Sequence, residues 1–136
     1  MHPSDVEELA RRFIQAWDPE HLHVVDELAA EDLIVSYTHF QEPFQGPGAF
    51  QEMLAETHRY FPDLTMDVHE VVANDSQAVV HWTYRGTFQD GELFGVKASG
   101  QSVEVAGMTR YHVADGRIQR EEGIVDNFGL MMQLGA

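Results

Sequence analysis

Histidine, carboxylate, tyrosine and arginine are the side chains that can do chemistry in this chain of 136 residues. It has no cysteine, which excludes disulfides, thiolate nucleophiles and cysteine-based metal sites. The densest group is Met108, Arg110 and His112, whose spacing of two places them on one face of a strand. Such a face could line a polar cavity. In the alternative arrangement, Thr109 and Tyr111 face inward and leave Arg110 and His112 in water.

Other arrangements of reactive residues give weaker signals. His21 and His23 resemble a fragment of a metal site, but no third ligand stands at a suitable spacing and there is no H-E-x-x-H. The sequence has no G-x-S-x-G elbow, and the glycines of FQGPG at 44–48 match neither a P-loop nor a dinucleotide fingerprint. We therefore predict no metal and no organic cofactor.

The charge balance restricts the partners. Asp and Glu outnumber Lys and Arg by 23 to 8, which gives a formal net charge of -15. This potential repels phosphate backbones and anionic lipid surfaces, so we predict no nucleic-acid partner. No apolar run approaches the roughly 20 residues that cross a bilayer, and the beginning MHPSDVEEL is acidic where a signal peptide is basic. We predict a cytoplasmic protein without a membrane partner.

The spacing of apolar residues changes along the chain. Apolar residues recur at steps of three and four from Ser4 to Trp17, which predicts an amphipathic helix with Ser4 as its N-cap. A short helix at 22–29, a strand at 33–38 and a helix at 47–60 follow. Beyond residue 64 the period is two, and short turns predict antiparallel strands at 65–72, 78–88, 102–114 and 117–125. This order predicts a single α+β domain over residues 1–136.

Three segments of the chain resemble the SnoaL-like polyketide cyclases and related ester cyclases of the NTF2-like superfamily. They are FPDLTMDVHEVVANDSQAVVHWTYRGTF at 61–88, ADGRIQREEGIVD at 114–126 and NFGLMMQLG at 127–135. The motifs FPDL, W-T-x-R-G-T, D-G-R-I and G-L-x-x-Q-L-G in this order form a joint signal. The resemblance implies an NTF2-like cone, in which N-terminal helices pack on the concave side of a curved antiparallel sheet. It also implies a pocket for a small apolar or aromatic organic molecule.

The resemblance implies a catalytic role for Asp126. In the cyclases of that family, an Asp near the end of the last strand is the general acid/base of an aldol ring closure, and Asp126 stands at the matching position. Its apolar flank of Ile124, Val125 and Phe128 would desolvate the carboxylate and favour its neutral form. Alternatively, Asp126 caps a helix over 128–134, because Asp-Asn is also a suitable N-cap sequence.

The resemblance also implies that His112 hydrogen-bonds a substrate oxygen or holds the Asp. A tryptophan such as Trp82 is more often a core residue than a ligand platform, because large aromatic side chains bury much area whatever the function. One departure from the family is Glu121-Glu122, where relatives often have His-Trp. The residues predicted to bind substrate are Arg110, Met108, Tyr37, His39, Trp82 and Phe128.

Two functions are consistent with these features. One is a cofactor-independent cyclase, isomerase, lyase or hydrolase that removes a proton beside a carbonyl, with His112, Arg110 or Tyr37 stabilising the oxyanion. The other is a non-catalytic module that binds a small apolar ligand or supports a dimer. The strands beyond residue 78 carry apolar residues on both faces, which predicts a homodimer. The tail at 128–134 is predicted to cover the pocket or to seal the core.

Overall fold

The helices of the protein precede most of its strands. A computed structural model describes residues 1–136. The helices are α1 (Pro3–Phe13), α2 (Val24–Leu28), α3 (Pro47–Tyr60) and α4 (Asn127–Leu134), with 3-10 turns at Ile14–Trp17 and Pro19–His21. The strands are β1 (Ala29–Tyr37), β2 (Phe44–Gln45), β3 (Thr65–Ala73), β4 (Gln77–Phe88), β5 (Glu92–Leu93), β6 (Val96–Lys97), β7 (Gln101–Ala114) and β8 (Arg117–Val125).

Six strands form the main sheet, in the order β2-β1-β8-β7-β4-β3. Neighbouring strands are antiparallel, except that β1 and β8 run parallel and join an early segment of the chain to the last strand. The helices pack on the concave side of this curved sheet. The predicted α+β arrangement is confirmed. The structure adds three features that were not predicted: the parallel pair, the short edge strand β2 and the small β5-β6 hairpin.

Helix α1 begins two residues earlier than predicted. Its N-cap is His2, whose ring accepts a hydrogen bond from the Ser4 backbone N–H at 3.1 Å. The Asp5 carboxylate accepts from the His2 backbone N–H at 3.2 Å, which completes a capping box. Pro3 fits the first helical position because an N–H there would have no partner inside the helix. The prediction of Ser4 as the cap is therefore wrong.

The apolar core has two parts. The larger cluster has 22 buried residues and joins the stripe of α1 to β1, α3 and the middle of the sheet. The smaller cluster has 7 buried residues and lies where α4 packs on β4 and β7. Trp17, Tyr84 and Val125 contact both clusters. The space between the two clusters is where a cavity forms.

Helix α4 covers an edge that β8 leaves open. Pairing between β7 and β8 stops at Gly107 and Val125, so the first half of β7 lacks a strand on that side. The Gln133 side chain takes the place of a strand there, because its oxygen accepts from the Glu104 N–H at 2.7 Å and its amide donates to the Glu104 carbonyl at 2.8 Å. This contact satisfies backbone groups that an edge strand would otherwise expose.

No helix combines the length and the apolar content that crossing a bilayer requires.

Candidate functional site

A largely apolar cavity of about 390 Å³ lies between the two core clusters. Most of its 18 lining residues are hydrophobic. Its mouth is flanked by Phe40, in the loop after β1, and by Phe94, in the β5-β6 hairpin, both of which are exposed. The walls include Trp17, Tyr37, Met53, Tyr60, Phe61, Leu64, Met66, Trp82, Tyr84, Val125 and Leu130. A cavity with these dimensions and walls suits a small, mainly apolar molecule.

A buried polar network lies behind the Tyr37 wall of the cavity. The Tyr37 hydroxyl donates a 2.6 Å hydrogen bond to Glu121 Oε2 and lies 3.1 Å from Thr109 Oγ1. The Trp82 indole N–H donates to the same Thr109 oxygen at 2.9 Å. Glu121 is fully buried, and its second oxygen and the Tyr111 hydroxyl have no hydrogen-bond partner of normal geometry. The network thus joins two residues of the cavity wall to a carboxyl group that water does not reach.

Burial gives Glu121 an unusual affinity for its proton. Desolvation raises the pKa of Glu121 to about 7, while the hydrogen bond from Tyr37 and the nearby polar groups of Tyr111 and Trp17 lower the pKa by a smaller amount. Desolvation and the nearby Glu121 also raise the pKa of Tyr37 well above its ordinary value. Around neutral pH, Glu121 can therefore release or take up a proton, while Tyr37 keeps its own.

The register of β8 determines which of two adjacent glutamate side chains points into the core. Side chains alternate between the faces of a strand, so Glu121 points to the concave side and Glu122 to the outer side. Glu122 Oε1 accepts hydrogen bonds from Arg110 and His112 at 3.0 and 2.8 Å. The bond from His112 first, and then the bond and charge of Arg110, lower the pKa of Glu122. The pKa values of these two neighbouring glutamates are thus shifted in opposite directions, upward for Glu121 and downward for Glu122.

Asp126 does not point into the cavity. It is exposed and is the N-cap of α4, where its Oδ1 accepts from the Gly129 N–H at 2.9 Å. The predicted burial by apolar flanks is wrong because the flanks are open as well, with Ile124 64% and Phe128 73% exposed. The alternative of a helix cap is the one found.

The second group of predicted residues lies on the outer face of the sheet. Met108 and Arg110 are exposed, and His112 pairs with Glu122 on that face. Thr109 and Tyr111 face the core instead. The prediction that this stripe lines the pocket is wrong. A period of two identifies two faces without telling which one the helices will cover.

Three of the predicted binding residues do line the cavity. Tyr37 and Trp82 are buried in its wall, and His39 lies beside its mouth, where burial lowers the pKa of the imidazole. Trp82 belongs to the core and to the cavity wall at once. Phe128 lies outside the cavity and is exposed.

Glu121 is the site residue that the sequence prediction missed, although the sequence carries a signal for it. Two glutamates in succession on a predicted strand must send one carboxylate to each face. One of them therefore had to enter the core side of a half-buried sheet, where charged residues are rare unless paired. The resemblance to the family draws attention away from this signal, because it marks Glu121-Glu122 only as a departure from the family pattern.

The rest of the molecule offers no comparable site. No group of three or more His, Asp or Glu side chains converges to hold a metal ion. A second hollow of about 490 Å³ surrounds Arg85, but it is open, and its one hydrophobic lining residue is Val103. It lacks the enclosed apolar walls that would hold a small organic molecule.

Comparisons with known proteins agree with the fold. Solved structures with the same fold include a candidate SnoaL-like polyketide cyclase from Jannaschia sp. CCS1, 23% identical, with a TM-score of 0.86 over 98% of this chain and 94% of that one. IdmH of Streptomyces antibioticus, a candidate polyketide cyclase, is 24% identical, with a TM-score of 0.77 over 94% and 99%. An LEH-like epoxide hydrolase of M. tuberculosis is 16% identical, with a TM-score of 0.76 over 97% and 90%.

Among curated proteins, none matches this sequence significantly. The family model described as SnoaL-like polyketide cyclase matches residues 7–134, which include α4 and all the strands. A match of this extent includes the cavity walls and the buried Glu121. The chain therefore belongs to the SnoaL-like polyketide cyclase family.

Proposed function

We propose that the cavity binds a small, mainly apolar organic molecule bearing a carbonyl group, and that Glu121 serves as the acid/base that moves a proton on it. The observation that carries this proposal is the fully buried Glu121 carboxyl, which accepts a hydrogen bond from Tyr37 of the cavity wall. Burying a carboxyl group without full hydrogen bonding costs stability, so such a group is a candidate for function. We assign Glu121 the role that the sequence suggested for Asp126.

Tyr37 would connect Glu121 to the ligand. As Tyr37 gives its proton to Glu121, its oxygen takes a proton from the carbon beside the substrate carbonyl. Tyr37 ends unchanged, Glu121 gains one proton and the substrate becomes an enolate. The raised pKa of Tyr37 favours a concerted transfer, because a free tyrosinate would be costly. Returning the proton to a new alkoxide would complete an aldol-type cyclisation, and returning it to carbon would complete an isomerisation.

The pKa of Glu121 suits both directions of this transfer. An acid/base works best when its pKa lies near the working pH, and burial raises that of Glu121 to about 7. The chemistry proposed here needs no cofactor. A related lyase step would begin with the same proton transfer, whereas in a hydrolase step the proton would come from the attacking water.

The test uses α-tetralone, a bicyclic ketone small enough for the cavity, with the exchange of its α-protons for deuterium followed by NMR. We expect the wild-type protein to accelerate exchange and Glu121→Gln to abolish the acceleration. Asp126→Asn is the matched control, since Asp126 is exposed, and should exchange as wild type does. Loss of exchange in the Asp126 variant with retention in the Glu121 variant would overturn the assignment.

The alternative is a binding module without catalysis, and the same probe distinguishes it. Both tryptophans of the chain, Trp17 and Trp82, line the cavity, so their fluorescence reports occupancy directly. Quenching by α-tetralone without deuterium exchange would favour the binding module. Exchange that depends on Glu121 would favour the enzyme.

We further propose that the protein forms a homodimer through the outer face of the sheet. Val72 on β3, Met108 on β7 and Ile124 on β8 are 63%, 51% and 64% exposed on that face. Apolar side chains grouped in this way often mark an interface between subunits. Sedimentation at micromolar concentration should show a dimer for the wild type and a monomer for Ile124→Glu. A wild-type monomer would contradict this part of the proposal.

A further inference from the structure

Three tyrosines line the cavity, and their hydroxyl groups differ in one respect. The Tyr37 hydroxyl donates to Glu121 at 2.6 Å, and the Tyr60 hydroxyl donates to Glu56 at 2.7 Å. The hydroxyl of Tyr84 makes no hydrogen bond to any protein group, and burial alone raises its pKa. Polar groups in apolar surroundings normally have a partner. Tyr84 is therefore the cavity tyrosine whose donor remains available.

The ring of Tyr84 is held firmly although its hydroxyl is free. It stacks on Trp82 with 6.0 Å between ring centroids, and Phe61 meets it edge-on at the same distance. Tyr84 and Trp82 are alternate residues of β4 and so point to the same side of the sheet. A rigid ring fixes the position of its hydroxyl before any ligand arrives, which lowers the cost of binding.

We propose that the Tyr84 hydroxyl donates a hydrogen bond to the carbonyl oxygen of the ligand and stabilises the oxyanion that develops there when the neighbouring carbon loses its proton. This inference rests on the proposed function and adds to it the group that binds the reacting oxygen. The sequence suggested His112, Arg110 or Tyr37 for this role. His112 and Arg110 lie on the outer face, and Tyr37 already donates to Glu121.

The same contacts define the class of ligand. A protonated phenol without an acceptor selects a molecule that brings an acceptor oxygen of its own. No lysine or arginine lines the cavity, and the charged residue that does is Glu56. A free carboxylate on the ligand would have no cation to pair with. The geometry thus favours a neutral ketone or ester over an acid or a hydrocarbon.

The experiment compares two probes of nearly equal shape, α-tetralone and tetralin, which lacks the carbonyl oxygen. Binding is measured by calorimetry for the wild type, for Tyr84→Phe and for the control Tyr60→Phe. Removing the donor from Tyr84 should weaken the binding of α-tetralone about fivefold, the usual contribution of one hydrogen bond. The affinity for tetralin should stay within about twofold of that of the wild type. Tyr60→Phe removes a hydroxyl that is already engaged by Glu56 and should affect both probes equally.

An infrared measurement gives a second readout. The carbonyl stretch of bound α-tetralone should lie at lower wavenumber in the wild type than in Tyr84→Phe. If Tyr84→Phe weakens both probes equally, or neither, the assignment of Tyr84 fails while the cavity remains a binding site. If neither probe binds to the wild type, the proposed function fails and the role of Tyr84 fails with it.

Discussion

Gly123 on β8 lies directly opposite Tyr37 on β1, and the Tyr37 ring occupies the space that a side chain at position 123 would need. A Cβ built on Gly123 would overlap three carbons of that ring. This close approach allows the Tyr37 hydroxyl to reach Glu121, two residues earlier on the same strand. The glycine therefore determines where a residue of the cavity wall, Tyr37, can lie.

Gly123→Ala should displace the Tyr37 ring. Overpacking a buried site costs roughly 1–3 kcal/mol, so we expect a lower free energy of unfolding and weaker quenching by α-tetralone. Gly48→Ala is the matched control, because a Cβ there meets no atom within 4 Å and Gly48 lies in helix α3. The control should be at least as stable as wild type. Equal unfolding curves for Gly123→Ala and wild type would contradict the close contact.

Glu121 should make stability fall as pH rises. The unfolded chain releases this proton near 4.5, whereas the folded protein holds it until about 7, so the folded state binds more protons between these values. The free energy of unfolding should therefore decrease across this interval relative to Glu121→Gln, by about 3 kcal/mol. Urea unfolding of both proteins over this pH range measures the difference.

Glu122→Gln is the control for that experiment, because the pH dependence that Glu122 contributes has the opposite sign. The bonds from His112 and Arg110 lower the pKa of Glu122, so its contribution is present above the ordinary pKa of a glutamate and is lost as pH falls. Stability curves of wild type and Glu121→Gln that run parallel across the interval would show that Glu121 titrates normally.

Helix α4 should seal the core through Leu134 and not through Phe128. Leu134 is buried in the smaller core cluster, while Phe128 is 73% exposed. Leu134→Ala should lower the free energy of unfolding by roughly 2–4 kcal/mol. Phe128→Ala should change it by less than about 0.5 kcal/mol. Thermal melts that reverse this order would show that α4 packs differently.

The contact between Gln133 and Glu104 should protect the open edge of β7. Gln133→Ala removes two hydrogen bonds to the Glu104 backbone, so we expect a loss of about 1–2 kcal/mol. Exchange of the Glu104 amide hydrogen, followed by NMR, should accelerate in the variant. Gln119→Ala is the control, since Gln119 is exposed and reaches only Asp32 at 3.5 Å. Unchanged exchange at Glu104 would contradict the contact.

Local periodicity predicted most of the elements correctly. The stripe of α1 and the alternation in β4 and β7 follow from side-chain spacing, which depends on neighbouring residues alone. The same spacing could not tell which face of β7 is buried. One face carries Thr109 and Tyr111 and the other carries Arg110 and His112, and either pair could face the core. Contacts with distant helices make that choice, and the sequence does not show them.

The candidate site was predicted only in part, because contacts between distant elements also decide which residues reach the cavity. Tyr37, His39 and Trp82, which are predicted to bind substrate, lie in the cavity lining, whereas Asp126 is a helix cap. Family position and apolar neighbours suggested burial for Asp126, and the turn into α4 exposes it instead. Glu121 enters the core because of the register that β8 adopts between β1 and β7.

The parallel pairing of β1 with β8 has a consequence for how the protein is made. Tyr37 and Glu121 are 84 residues apart in the chain, so their hydrogen bond closes a very long loop. Contacts of this separation slow folding, because the entropy of loop closure is lost before the contacts repay it. During synthesis on the ribosome, β1 emerges early, but it cannot pair with β8 until β8 has also emerged. The hydrogen bond between Tyr37 and Glu121 is therefore among the last contacts of the protein to form, and a nascent chain that ends before β8 cannot make it.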